Sequence, residues 1–293
     1  MAAFIDKFRE ACGSRALAWL LLANCGIFLV VWMIVIIGNY AGYPGNFTMQ
    51  WLCVSSSAPV ALRHFWTAAT YMVTHYGFLH LLFNMLWLFW FGRILMTSLS
   101  DRHLTWIYAG GGFAGAVLYV AVHALVTGMS DSGSYLCGAS ASVLAVIAAS
   151  AIRTPDLRLY LFLIGEVKLK WVALGCIVLT FAGVGGGNAG GQAAHVGGVL
   201  FGVLFTLAIN AGYDPVKRFA DKMRDVSSRE PISMPRRKNV RRDGNVVARA
   251  AGGRLSDMSR LDELLDKIRL SGYASLTDVE RRELNALSRK IEK

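Results

Sequence analysis

Three short stretches combine a reactive side chain with a spacing that could put it to use. In HLLFN, His80 and Asn84 stand four residues apart and share one face of a helix. Gly138-Ala139-Ser140 interrupts an otherwise bulky apolar chain with small residues and a hydroxyl. In AHVGGVLFG, His195 is followed by Gly198 and Gly202, three and seven residues on. A serine hydroxyl is a weak nucleophile until an imidazole takes its proton, and a tetrahedral intermediate needs hydrogen-bond donors for its oxyanion. These types support acyl transfer, with Ser140 as nucleophile and His195 as base. The Ser140 backbone N–H, at the favourable end of a helix dipole, would serve the oxyanion together with His80 and Asn84. Gly138, Gly198 and Gly202 would let the helices carrying Ser140 and His195 approach closely, although small residues alone, Gly138-x-x-x-Ser142 included, also suit ordinary packing. His75 reads as a loop or helix-start residue bonded to backbone.

Such residues must be positioned by elements that suit this composition. Of 293 residues 55% are hydrophobic, above the roughly 45–50% of soluble domains, and the mean hydropathy is +0.44. Six apolar runs, 16–37, 78–96, 104–126, 138–152, 169–184 and 192–210, read as membrane spans. The first is full length and starts at residue 16, unlike a cleavable signal peptide. Basic residues alternate between the connections. Lys7, Arg9 and Arg15 precede the first span, Arg93 and Arg102 fill the second connection, and Arg153, Arg158, Lys168 and Lys170 fill the fourth. Only Arg63 lies in the first, third and fifth, so both termini are expected to be cytoplasmic. Spans two, four and six then enter from outside, which brings His80, Asn84, Ser140 and His195 to one level below the outer surface. Asp131 is the only acid in an outer connection, so a Ser–His dyad is expected rather than a triad.

Several function classes fall away. No Asp or Glu lies inside a span, which removes a paired-carboxylate aspartyl site and the embedded acids of ion-coupled transporters. HExxH is absent, and no metal or cofactor is expected. Cys12, Cys25, Cys53, Cys137 and Cys176 form no CxxC pair and are odd in number, so neither a disulfide framework nor a metal site is read from them. The net charge of +11 does not indicate nucleic acid, because twenty of the thirty Lys/Arg follow residue 211 and are mixed with thirteen acids. Residues 38–77 form an outer loop in which Arg63 and Trp66 suit a headgroup-level anchor, and GVGGGNAGG, 183–191, reads as a mobile outer hinge. The expected domains are a cytoplasmic N-terminus (1–15), a six-helix membrane domain (16–211), a basic flexible linker (212–255) and a short helical cytoplasmic tail (256–293). In the tail Leu261, Leu264, Leu265 and Ile268 recur at helical spacing, and Thr277 with Glu280 forms a capping box. A small docking element fits that tail better than a catalytic domain.

HLLFN, GAS at 138–140 and AHVGGVLFG, in this order and on these spans, resemble the rhomboid intramembrane serine proteases, of a bacterial type with six spans and a short tail. The resemblance covers about residues 15–210 and includes FWTAATYMVTHYGFLH before the second span. It implies an all-α polytopic bundle, a water-filled cavity open to the outside, and cleavage of single-pass membrane proteins near the tops of their helices. It maps Ser140 to the nucleophile, His195 to the base, and His80 and Asn84 to the oxyanion. It also makes 183–191 a cap, with span five as a possible gate, in a bacterial inner membrane. Two positions depart from the pattern: Ala141 where many members have Gly, and Leu144 where many have an aromatic that stacks on the histidine. The expected partners are single-pass substrates and the lipid bilayer, with no nucleic acid, and nothing in the sequence specifies an oligomeric state. The competing reading is a catalytically inactive rhomboid-like protein that binds membrane clients.

Overall fold

The computed structural model describes residues 2–43, 47–126, 133–161, 164–182, 189–228, 259–268 and 276–291. They fall into two units, Met1–Arg229 and Glu230–Lys293. In the first, α1 (Ala2–Cys12) and α2 (Arg15–Tyr40) lead to a connection holding α3 (Met49–Leu52), α4 (Ala58–Arg63), α5 (Thr67–Thr70) and a 3-10 turn, Tyr71–Val73. Then come α6 (Phe78–Met96), α7 (Asp101–Val126), α8 (Ser140–Arg153), α9 (Leu169–Ala182), α10 (Ala189–Asn210) and α11 (Pro215–Ser228). Two small antiparallel pairs join β1 (Val54–Ser55) to β2 (Tyr135–Leu136) and β3 (Arg158–Leu161) to β4 (Gly165–Lys168).

The chain is an all-α polytopic membrane protein. α2, α6, α7 and α10 are long and apolar enough to cross a membrane. α8 and α9 have 14 residues each, about 21 Å at the helical rise per residue, against a hydrocarbon core of about 30 Å. α8 tolerates that shortness because every residue from Ala141 to Ser150 is buried, so its neighbours meet lipid in its place. Leu29, Val30 and Ile37 on α2, and Phe83 and Trp90 on α6, are exposed large apolar side chains that suit a lipid surface.

Lipid tails are as apolar as leucine, so helices in a bilayer associate through close packing and hydrogen bonds. α10 packs most extensively against α7 and α8, and small residues make those contacts. A Cβ on Gly198 would overlap the Ala141 carbonyl, and one on Gly202 the Ala145 carbonyl. On α7, Gly111 lies against Ala145, and Gly115 against Ala141 and the Ala194 carbonyl. Buried polar side chains add cross-links. Asn24 on α2 donates to Tyr108 on α7, whose hydroxyl donates to the Met72 carbonyl, and Ser150 on α8 donates to the Phe91 carbonyl on α6. At the end of the bundle where α2 and α7 begin, Ser14 caps α2 through the Leu17 N–H and donates to Asp101, 2.8 Å away.

Two expectations need correction. Cys53 and Cys137 form a disulfide, with Cα atoms 5.2 Å apart. Sequence spacing carried no signal for it, because the cysteines are 84 residues apart. The antiparallel register supplies the reason: Val54 pairs with Leu136, so the next position outward sets Cys53 against Cys137. Part of the segment read as flexible linker is helical. Asp214 accepts the Val216 and Lys217 N–H groups at 3.0 Å and caps α11, Pro215 suits its first turn, and Asp214 also contacts His103 of α7 at 3.1 Å. Residues 229–255 of that linker, and 183–188 of the expected cap, lie outside the described residues.

In the second unit, residues 259–268 are helical (α12) and α13 spans Asp278–Ile291. Leu264, Leu276 and Leu287 are buried there, flanked by Leu261, Ile268 and Leu284, while Leu265 is exposed. Thr277 and Glu280 form the expected capping box: the Thr277 N–H donates to Glu280 at 2.8 Å and the Glu280 N–H returns to the Thr277 hydroxyl at 3.3 Å. Lys267 on α12 reaches the same carboxylate at 2.7 Å. The Lys267 ammonium, then the Thr277 donors, hold the Glu280 carboxyl down at about 2 from an ordinary 4.5.

Gly202→Val should destabilise the bundle by about 1–3 kcal/mol through overpacking. Gly175→Ala, where a Cβ meets nothing within 4 Å, should be neutral or slightly stabilising. Unfolding midpoints in detergent micelles test the pair. In the tail, a carboxyl whose folded-state pKa is depressed stabilises above about pH 4.5 and loses that contribution as pH falls toward about 2. Glu280→Gln should therefore speed amide hydrogen exchange in α13 at neutral pH and leave α10 unchanged.

Candidate active site

Ser140 opens α8 on a strand-to-helix turn whose geometry is held by backbone bonds. β2 ends at Leu136, and Gly138 takes φ +113°, a conformation that side chains rarely allow. Its N–H donates to the Tyr71 carbonyl at 3.0 Å. The Ala139 N–H donates to Nε2 of buried His75 at 3.2 Å, so His75 bonds backbone as expected, and the backbone it bonds is the one carrying Ser140. A Cβ on Gly138 would overlap the His80 ring. Glycine thus serves both the turn and the approach of His80.

On α10, His195 presents Nε2 to the Ser140 Oγ at 2.7 Å. With Nε2 accepting that hydroxyl proton, the neutral ring carries its own proton on Nδ1. The histidine lies in the second turn of α10 rather than the first, because the helix begins earlier, at Ala189. Its Nδ1 is buried with no hydrogen-bond partner among the described residues. The ring is flanked edge-on by Phe181 of α9, with centroids 6.2 Å apart and an interplanar angle of 79°. An aromatic neighbour is therefore present, supplied by α9 and not by position 144, where Leu144 is buried in the core. Ala141 lies between Gly198 and Gly115, a place that admits only a small side chain.

Ser140, His195 and His80 line one cavity of about 390 Å³, together with Met49, Tyr76 and Cys137. Asn84 lies one turn further along α6, buried and outside that lining, and donates its amide to the His80 carbonyl at 2.8 Å. Sequence reasoning missed Phe181, the Cys137 tether and the α7 glycines. The run GGGFAG at 110–115 was a readable signal for the last of these. A roomier recess of about 750 Å³ between α6, α9 and the β3–β4 hairpin is lined by Trp87, Trp90, Arg93, Tyr160 and other residues. Its hydroxyls, those of Thr97 and Tyr160, have no histidine or carboxylate beside them in that lining to act as base.

Residues 253–290 match a family of unknown function. A Danio rerio protein named "Presenilin-associated rhomboid-like protein A, mitochondrial" is 30% identical over 169 residues, 54% of this chain and 42% of that relative. The chain thus spans less than half the length of the relative it matches. Residues 62–211 match the family described as Rhomboid domain. That segment begins at the end of α4 and closes just beyond α10, so it contains Ser140, His195, His80 and the glycines that bring their helices together; on this match the chain belongs to the rhomboid family.

Proposed function

We propose that the protein is an intramembrane serine endopeptidase that cleaves transmembrane helices of single-pass membrane proteins through a Ser140–His195 dyad. The contact that carries the reading is the 2.7 Å hydrogen bond between the Ser140 Oγ and the His195 Nε2. As Ser140 Oγ attacks the scissile carbonyl carbon, its proton passes to Nε2, and the positive charge on the ring is shared with Nδ1. The oxyanion lies against the N-terminus of α8, whose first-turn N–H groups have no partner in the helical ladder, with the His80 side chain on the same cavity wall. Asn84 keeps a second amide hydrogen beyond the one given to His80, and it is the more distant donor. Collapse of the intermediate breaks the C–N bond, and His195 returns the proton to the leaving amine. Water entering the cavity is then deprotonated by His195 and hydrolyses the acyl-enzyme, restoring Ser140. The substrate segment must unwind to reach this site, which favours helix-breaking residues near the cut and a small residue before it.

We infer that the termini face the cytoplasm, in the orientation of a bacterial inner membrane. Arg15, Arg93, Arg102, Arg153 and Lys170 gather at the helix ends away from Ser140, in keeping with the positive-inside rule. The Cys53–Cys137 disulfide lies at the Ser140 end, as suits an oxidising compartment.

Cleavage of a single-pass substrate in liposomes should be lost in Ser140→Ala and His195→Ala with unfolding midpoints unchanged. Ser142→Ala should stay active, since its hydroxyl is buried with no hydrogen-bond partner among the described residues. A wild type that neither cleaves any of several substrates nor labels at Ser140 with a fluorophosphonate would favour the client-binding reading instead. Phe181→Ala removes an aromatic contact worth about 0.5–1.5 kcal/mol. It should slow the labelling of Ser140 by about two- to tenfold if that contact holds the His195 ring in place.

A further inference from the structure

We propose that the Cys53–Cys137 disulfide is a thiol-exchange site, opening into the active-site cavity, that holds Ser140 in register with His195 only while it is oxidised. The proposal rests on the protease reading of that cavity. Cys137 stands three residues before Ser140, and the intervening chain has few other anchors. Among the described residues these include the Gly138 N–H on Tyr71, the Ala139 N–H on His75, and a β1–β2 ladder of two residue pairs continued by the Ser56 N–H on the Ser134 carbonyl, with the Tyr119 hydroxyl on the Ser134 Oγ. So short a ladder is marginal by itself. The covalent bond is therefore the main tie between the nucleophile's turn and the connection before α6. Without it, the turn ahead of the packed part of α8 is tied to the connection before α6 by hydrogen bonds alone, those of Gly138 and Ala139 and the short ladder with its Ser56–Ser134 extension.

The two cysteines differ in access. Cys53 is 1% exposed, whereas Cys137 is half-buried and forms part of the wall of the cavity that holds Ser140 and His195. An incoming thiolate from a dithiol thus reaches Cys137 Sγ through the mouth a substrate would use. Attack there forms a mixed disulfide on Cys137 and releases Cys53 as a thiolate, which takes up a proton. The second thiol of the reductant then attacks its own sulfur in the mixed disulfide and frees the Cys137 thiolate, which is also protonated. The reductant leaves as a disulfide, two electrons and two protons having passed to the protein. Cys12, Cys25 and Cys176 are free thiols, on α1, α2 and α9, away from this exchange.

Because reductant and substrate share one entrance, the site couples chemistry in two directions. Reduction should disable the serine, and a group held on the serine should shield the disulfide. Displacement of a reacting group by about 1 Å can cost about a hundredfold in rate. Reduction of the wild-type protein with a dithiol should therefore slow both fluorophosphonate labelling of Ser140 and substrate cleavage by about that factor, and re-oxidation with glutathione disulfide should restore both.

The test treats purified full-length protein with graded dithiothreitol. It follows labelling, cleavage, the unfolding midpoint, and alkylation of Cys53 and Cys137 by mass spectrometry. The expected result is reversible loss of labelling in step with alkylation of those two cysteines, in protein that remains folded. A sample already phosphonylated on Ser140 should be reduced more slowly than the free protein. Cys53→Ser/Cys137→Ser should label slowly whatever the dithiol concentration; should this variant fail to fold, the wild-type titration still decides. Cysteines that alkylate fully without reductant, labelling unchanged after complete reduction, or reduction unaffected by phosphonylation would each overturn the proposal. Absence of both labelling and cleavage in the oxidised protein would instead overturn the protease reading, and the role given to the disulfide with it.

Discussion

The approach of α10 to α8, with no side chain between Gly198 and the Ala141 carbonyl, sets the separation of Ser140 and His195. His195, Gly198 and Gly202 lie on or near one face of α10, so the residues that permit the contact and the residue that uses it are fixed by one helix rotation. α7 closes the third side with Gly111 and Gly115, again at backbone distance. Larger side chains along these seams would separate the helices by more than a hydrogen bond can bridge. Bulk is instead displaced to the outer faces of α2 and α6, where lipid accepts it.

That arrangement explains how polar chemistry persists inside an apolar chain. α8 is Ala- and Ser-rich and has no lipid-facing duty, because its neighbours cover Ala141 to Ser150. A hydroxyl at its N-terminus sits on a water-accessible cavity, so the nucleophile avoids the desolvation that burial in hydrocarbon would impose. Of the polar groups deeper in the bundle, Asn24, Tyr108 and Ser150 are bonded across helices, where an unmade bond would be costly, whereas the Asn24 Oδ1 and the Ser142 and Thr206 hydroxyls have no partner among the described residues.

Much of this was readable from residue types. Long apolar runs gave the helices, and the alternating basic connections predicted directions that would bring Ser140 and His195 to one level, where the two side chains meet at 2.7 Å. Asn84 shows the limit of that reasoning: its i+4 spacing from His80 was correct, yet the same spacing let its amide bond the His80 carbonyl and sit outside the cavity lining. Phe181 could not be foreseen, because no spacing rule links α9 to α10 across a connection. The disulfide needed a strand register that two-residue strands do not announce. The start of α11 was written in Asp214-Pro215 but was outweighed by the surrounding basic composition.

The covalent ring closed by Cys53 and Cys137 encloses the whole of α6 and α7. Two helices that cross a bilayer lie between the cysteines, so the sulfurs reach the same side when both have crossed and are parted when just one has. A chain in which one of the pair failed to insert would leave the two thiols on opposite faces with no means of meeting. The cross-link is in this sense a parity check on membrane insertion: it cannot close on a chain in which just one of α6 and α7 has crossed.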